Sequence, residues 1–206
     1  MHYDPRSEPH GLPHDPFTAL VVPRPIGWIS TIDGLGGVNL APYSFFNALS
    51  GKPPFVMFAS NNRKHSQANV EETGEFVVSI ASYAMRVPMN ASSAPVPAGV
   101  DEAALLGVGM AASRFVRPPR VASALAALEC VHTQSLPLRS RDGRAHATTV
   151  LIGEVVGIYI DDSVIVDGRI DVLKLSPLSR LGYRDYGVVT DMFEMPRPTA
   201  EDVMPG

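Results

Sequence analysis

Residues 23–47 read PRPIGWISTIDGLGGVNLAPYSFFN. Within this stretch the run from Ile26 to Ile32 is rich in β-branched and aromatic residues, the composition that suits a pleated, half-buried surface. Asp33-Gly34 and Gly36-Gly37 then supply a turn before the apolar run resumes at Val38, so the stretch predicts strand, turn, strand. The same 25 residues concentrate Ser30, Thr31, Asn39, Ser44 and Asn47 beside Trp28, Tyr43, Phe45 and Phe46. Apolar faces with a few hydrogen-bonding groups at the rim suit a flat heteroaromatic ligand, and an ordinary alternating strand pair has the same composition.

Working outward, PPFVMFAS (53–60) is a short apolar run entered from a double proline and predicts a third strand. NNRKHSQANVEETG (61–74) predicts a helix capped near Asn61 or Asn62 and stopped at Gly74, and EFVVSIAS (75–82) predicts another strand. Residues 84–120 carry Pro88, Pro95, Pro97, Pro118 and Pro119 and read as an excursion with a short helix at 101–106. Beyond it, ALAALECVHTQSL (124–136), HATTVLIGEVVGIYI (146–160) and SVIVDGRID (163–171) are β-rich, with RSRDGR (139–144) as a hairpin connection. Residues 1–20 read as an arm, 21–190 as one domain and 191–206 as a tail. Long amphipathic crossovers, which a parallel α/β sheet needs, are missing. The expected fold is therefore mainly β, a closed antiparallel barrel with short helical insertions.

Composition narrows the partners. With 45% hydrophobic and 18% charged residues among 206, the chain is suited to a packed core. Seventeen basic against 21 acidic residues give a net charge of −4, which offers no general basic field for nucleic acid. The single cysteine, Cys130, excludes an intrachain disulfide and fits a reducing cytoplasm. Asp4 and Glu8 stand where a signal peptide needs a basic start. The longest uncharged run, 34–51, is broken by Pro42 and four glycines and is unlike a membrane helix.

Several motifs lead nowhere. GVGMAA (107–112) matches G-x-G-x-x-A but lacks the strand before it and the helix after it that dinucleotide binding requires. His10 and His14 flank Pro13 in a solvated arm, so no metal site is expected. Cys130 sits in an apolar strand with no adjacent base. Arg114, Arg117 and Arg120 read as surface charge, with a nucleotide 2′-phosphate contact as the alternative.

One resemblance absorbs most of the chain. PRPIGWIST, NLAPYSFFN, PPFVMFAS, RKHSQANVEETGEFVV, LIGEVVGIYIDD, DGRID and PLSRLGYRDY resemble, in order from about Val21 to Tyr186, the flavin reductase-like, FMN-binding split-barrel family that includes flavoredoxin. The resemblance implies a six-stranded antiparallel Greek-key split barrel that forms a homodimer and holds FMN non-covalently near the subunit interface. It implies ring contacts from Trp28, Ser30, Thr31, Ala41, Pro42, Ser44 and Asn47. For the phosphate and ribityl chain it implies Ser60, Arg63, Lys64, Ser66 and Asn69. Independently, two cations and a hydroxyl at a helix start suit a dianionic phosphate. His65 stands where the family commonly has Asp. Shorter flavin reductases carry Gly-Asp-His before the Gly-Glu-Val strand, with the His facing the nicotinamide. Here Thr148 is at the matching distance from Gly153, and His146, two residues away on the same strand parity, is the catalytic candidate. The implied activity is NAD(P)H-dependent flavin reduction, with electrons passed to free flavin, oxygen or a partner oxygenase. The alternatives are a non-enzymatic electron carrier, or a split barrel binding another planar phosphate cofactor such as pyridoxal phosphate.

Overall fold

The computed structural model describes residues 1–97 and 99–204. Seven strands make one antiparallel sheet: β1 (Gly27–Ile32), β2 (Val38–Tyr43), β3 (Phe46–Gly51), β4 (Pro54–Asn61), β5 (Glu75–Ile80), β6 (Ala126–Arg139) and β7 (Ala145–Ile160). Their order is β2-β1-β5-β6-β7-β4-β3. The strands at the two ends of that order, β2 and β3, are joined through Ser44 and Phe45 alone, and Phe45 O accepts from Ala59 N–H at 2.8 Å. The chain thus bends at Ser44–Phe45 and carries one long strand from one edge of the sheet to the other. Six passes close a barrel, the split-barrel fold expected from the sequence.

Alternation fails on β1, where all six residues are buried. Ile29 packs inward with Phe46, Phe58, Phe76, Val78, Leu151 and Val155, while Trp28 faces a second cluster with Met85, Met89, Val121 and Leu178. The residues after β5 cover the outer face of β1, so both faces are dry and the period-two polar positions hold buried hydroxyls instead of solvated ones. Phe58 and Phe76 are fully buried and meet edge to face at 5.4 Å between centroids. Burial of each stabilises the fold by about 1.5–3 kcal/mol.

The β6–β7 hairpin turns at 140–144, where Ser140 N–H donates to Arg144 O. Its pairing slips between Ile152 and Gly153 and again between Val155 and Gly157. Glycine bulges of this kind bend a strand around a barrel. At Gly153 the close approach is tight, because an added Cβ would sit 2.5 Å from the Phe76 ring.

Helix α1 (His65–Thr73) starts several residues later than the sequence predicts and ends at Gly74, with φ +77°. Asn62 and Arg63 take left-handed φ of 61° and 44°, so neither can belong to the helix and Lys64 becomes its N-cap. Helix α2 (Arg86–Ala91) comes after β5, and the short helix predicted at 101–106 spans Glu102–Leu105 with Asp101 as its cap. A two-residue strand, Met110–Ala111, occupies the glycine motif, which is therefore no dinucleotide loop.

Arg24 fastens the N-terminal arm. The residue is 8% exposed, and its guanidinium donates to Thr18 O, Val21 O and Leu181 O. Burial, with Arg180 nearby, holds its pKa below the usual arginine value. Arg6 also reaches Asp142 on the hairpin turn at 3.0 Å. Among the described residues no helix is long and apolar enough to cross a membrane.

Candidate functional site

Two adjoining cavities, which share Pro42 and Ser93 in their walls, lie along the outer side of β2. The smaller, about 380 Å³, is formed where β2 faces the start of α1 and the 92–96 segment. The larger, about 810 Å³, lies between β2, residues 83–93 and the C-terminal segment 178–188.

Anion-binding chemistry gathers in the smaller cavity. The first-turn N–H groups of a helix have no partner within it, and no side chain caps α1. Lys64, Arg63, His65 and Ser66 stand around this end of the helix. Ser66 Oγ accepts from Asn39 Nδ2 at 2.9 Å, which holds both residues in the wall. Tyr43, from β2, is 8% exposed, and among the described residues its hydroxyl has no hydrogen-bond partner. Ser60 Oγ, close to that hydroxyl, is fully buried and also unpaired. Burial raises the Tyr43 pKa, and the nearby Ser66 and Ser60 hydroxyls offset part of that rise. A buried hydroxyl without a partner costs about 1–3 kcal/mol, which a ligand's hydrogen bond to Tyr43 removes. Glu102 borders the same cavity with its carboxylate accepting from Leu40 N–H at 2.9 Å.

The larger cavity is apolar at its floor, on Ile26, Pro42, Met89 and Leu178, and cationic at its outer wall. Arg86 lies over the Tyr83 ring at 4.0 Å and Arg180 over Tyr186 at 4.4 Å. Tyr186 Oη donates to Asn90 Oδ1 at 3.1 Å, which links the C-terminal segment to α2.

Residues expected at the site divide into three groups. Ala41, Pro42, Arg63, Lys64 and Ser66 line the smaller cavity, and Pro42 with Ser44 lines the larger. Arg63 is half engaged elsewhere, paired with Glu71 at 3.1 Å. Trp28, Ser30 and Thr31 do not reach either cavity, because β1 is covered on both faces. Trp28 Nε1 donates to Ser92 Oγ, Ser30 Oγ to Pro119 O, and Thr31 Oγ1 accepts from Asn69 Nδ2. Asn69 is thereby turned toward β1. Ser60 lies behind Tyr43, and Asn47 is exposed on β3, its Oδ1 accepting from Ala48 N–H. His146 is exposed at the start of β7, its Nδ1 accepting from Thr148 N–H at 3.2 Å, and lines neither cavity. Between Ala145 and Thr149 the β6–β7 register slips beside it.

Arg117 pairs with Glu75 at 2.8 Å and Arg120 lies 3.6 Å over Tyr159, both as structural surface charge outside the cavities. In the sequence Tyr43 reads only as an apolar face, and no pattern assigns a role to Glu102, Arg86, Arg180 or Arg184. A signal for Arg180 and Arg184 is nonetheless present in SRLGYRDY, where two arginines and two tyrosines crowd eight residues.

Comparisons with known proteins agree with this architecture. The family described as "Flavin reductase like domain" matches residues 19–174. An uncharacterized protein of Deinococcus radiodurans is 38% identical over 96% of this chain and 90% of its own. Among solved structures, nitrilotriacetate monooxygenase component B of Bacillus cereus superposes with a TM-score of 0.87 at 28% identity, covering 95% of this chain and 98% of that one. The 2-nitrobenzoate 2-nitroreductase of Pseudomonas fluorescens gives 0.83 at 25% identity, covering 100% and 99%. A barrel closed at Ser44–Phe45, with a hydroxyl-lined cavity at the start of α1, thus comes with a family match over three quarters of the chain: the protein belongs to the flavin reductase-like domain family and shares its flavin-related redox fold.

Proposed function

We propose that this protein binds FMN across the two cavities and acts as an NAD(P)H-dependent flavin oxidoreductase. The observation that carries the cofactor assignment is the buried, unpaired Tyr43 hydroxyl beside the uncapped start of α1. A phosphate monoester at that helix end accepts from first-turn N–H groups and from Lys64. Tyr43 then gains a partner from the ribityl phosphate arm, and Asn39 and Ser66 hold the wall against it. Pro42 and Ser44 present the bend of the barrel strand to one edge of the flavin ring, while Ile26, Met89 and Leu178 exclude water from it. Bound FMN supplies hydride acceptance and delivery of two electrons, which no side chain of this chain can perform. Residues 83–93 and 178–188 leave room for the nicotinamide to lie on the ring, and hydride transfer needs an approach of about 3–3.5 Å.

The proposed electron acceptor is free flavin, oxygen or a partner oxygenase. The oxygenase is supported by the likeness to a monooxygenase component B. A homodimer in the cytoplasm completes the reading. His146, which lines neither cavity, is left out of it.

Anaerobic titration of the FMN-loaded protein with NADH and NADPH tests the activity, and bleaching of the flavin absorbance is expected. A flavin that stays oxidised under excess of both nucleotides would replace the reductase reading with that of an electron carrier. For the cofactor, Lys64→Ala is expected to weaken FMN by about tenfold and riboflavin little. Equal loss for both ligands removes the phosphate assignment.

A further inference from the structure

We propose that Arg86, Arg180 and Arg184 form an anion subsite in the outer wall of the larger cavity, and that it takes the diphosphate of the dinucleotide co-substrate. The inference rests on the reading that the flavin ring occupies the floor of that cavity. At about 810 Å³ the cavity is near the top of the roughly 300–1,000 Å³ usual for one small ligand, before the adjoining 380 Å³ is counted. A ribityl phosphate in the smaller space and a ring on the floor leave the arginine side free.

The wall has the chemistry of a recognition surface. Among the described residues, none of the three arginines forms an ion pair with a carboxylate, and Arg184 is exposed and makes no hydrogen bond to the chain. Three unneutralised guanidinium groups lining one space match a ligand of two or more negative charges, and their planar forks suit phosphate oxygens. Arg86 and Arg180 are already stacked on Tyr83 and Tyr186, so part of the ordering entropy is spent before any ligand arrives. Two of the arginines come from residues beyond 174, where the family match ends. The C-terminal segment thus completes a wall that the residues of the family match do not form alone.

The test uses ADP-ribose, which has the diphosphate but cannot exchange hydride, titrated calorimetrically into the FMN-loaded protein. Wild type should bind it, with an affinity that falls as salt rises. Arg184→Ala and Arg180→Ala should each weaken it about tenfold, with Arg184→Lys intermediate. FMN affinity should stay within about twofold, because neither arginine lines the phosphate cavity. Arg184 is exposed and unbonded, so its loss leaves the fold intact. ADP-ribose that binds while NADH fails to bleach the flavin would sink the reductase reading and leave the subsite standing. Bleaching by NADH together with ADP-ribose affinity unchanged in both alanine variants, or absent in wild type, overturns the subsite and spares the reductase. Loss of FMN in parallel with ADP-ribose would assign the arginines to the flavin and also overturn it.

Discussion

Trp28 Nε1 donates to Ser92 Oγ at 2.9 Å, and Ser92 Oγ passes the bond on to Met89 O at 2.8 Å. The chain of two bonds ties β1 to the segment that roofs the smaller cavity. Ser92→Ala leaves a buried indole N–H without a partner, at a cost of about 1–3 kcal/mol. We expect a lower urea midpoint together with weaker FMN binding, since the roof loses its anchor. As Trp28 is the only tryptophan, its fluorescence tracks the unfolding directly. An unchanged midpoint would show that the bond contributes nothing.

Tyr43→Phe separates binding from stability. Its hydroxyl is buried without a partner, so removal should leave the FMN-free protein as stable or raise it by up to about 1–3 kcal/mol. The same variant should bind FMN about tenfold more weakly. Opposite signs in thermal melts of the FMN-free protein and in flavin fluorescence titrations mark a ligand-facing group. A fall in both would make Tyr43 a structural residue only.

Gly153→Ala places a Cβ 2.5 Å from the buried Phe76 ring, which cannot retreat within the filled barrel. Overpacking of this kind costs about 1–3 kcal/mol. Denaturant unfolding should show the loss. Phe76→Leu in the same background should restore part of it by making room, which a purely backbone effect at Gly153 would not allow.

Burial pushes the Glu71 carboxyl up, but hydrogen bonds from Gln67 and Arg63 together hold it below its ordinary value. A depressed carboxylate contributes stability above its unfolded pKa of about 4.3 and loses it as pH falls through the folded value. Glu71→Gln should therefore lower the urea midpoint at neutral pH, by no more than about 1 kcal/mol for so exposed an ion pair. Below the folded value the two proteins should unfold together. A gap that persists in acid would place the effect in packing instead of charge.

Local sequence decided the strands and their turns. β-branched runs bounded by Asp33-Gly34, the double proline before β4 and Asp142-Gly143 are short-range signals, and each produced the expected element. The start of α1 escapes local reading because left-handed φ at Asn62 and Arg63 accompanies a long-range contact, the bond from Asn62 N–H to Ala147 O on β7. Composition and order of motifs identified Lys64, Ser66, Pro42 and Ser44 as candidates that do line a cavity. Only the tertiary structure decided which side each residue of β1 faces. A strand covered on both faces carries no solvent-facing register, so Trp28, Ser30 and Thr31 look available in the sequence and are internal in the fold. It likewise took the folded chain to bring Arg180 and Arg184 within one cavity wall with Arg86, a separation of some ninety residues that no local pattern spans.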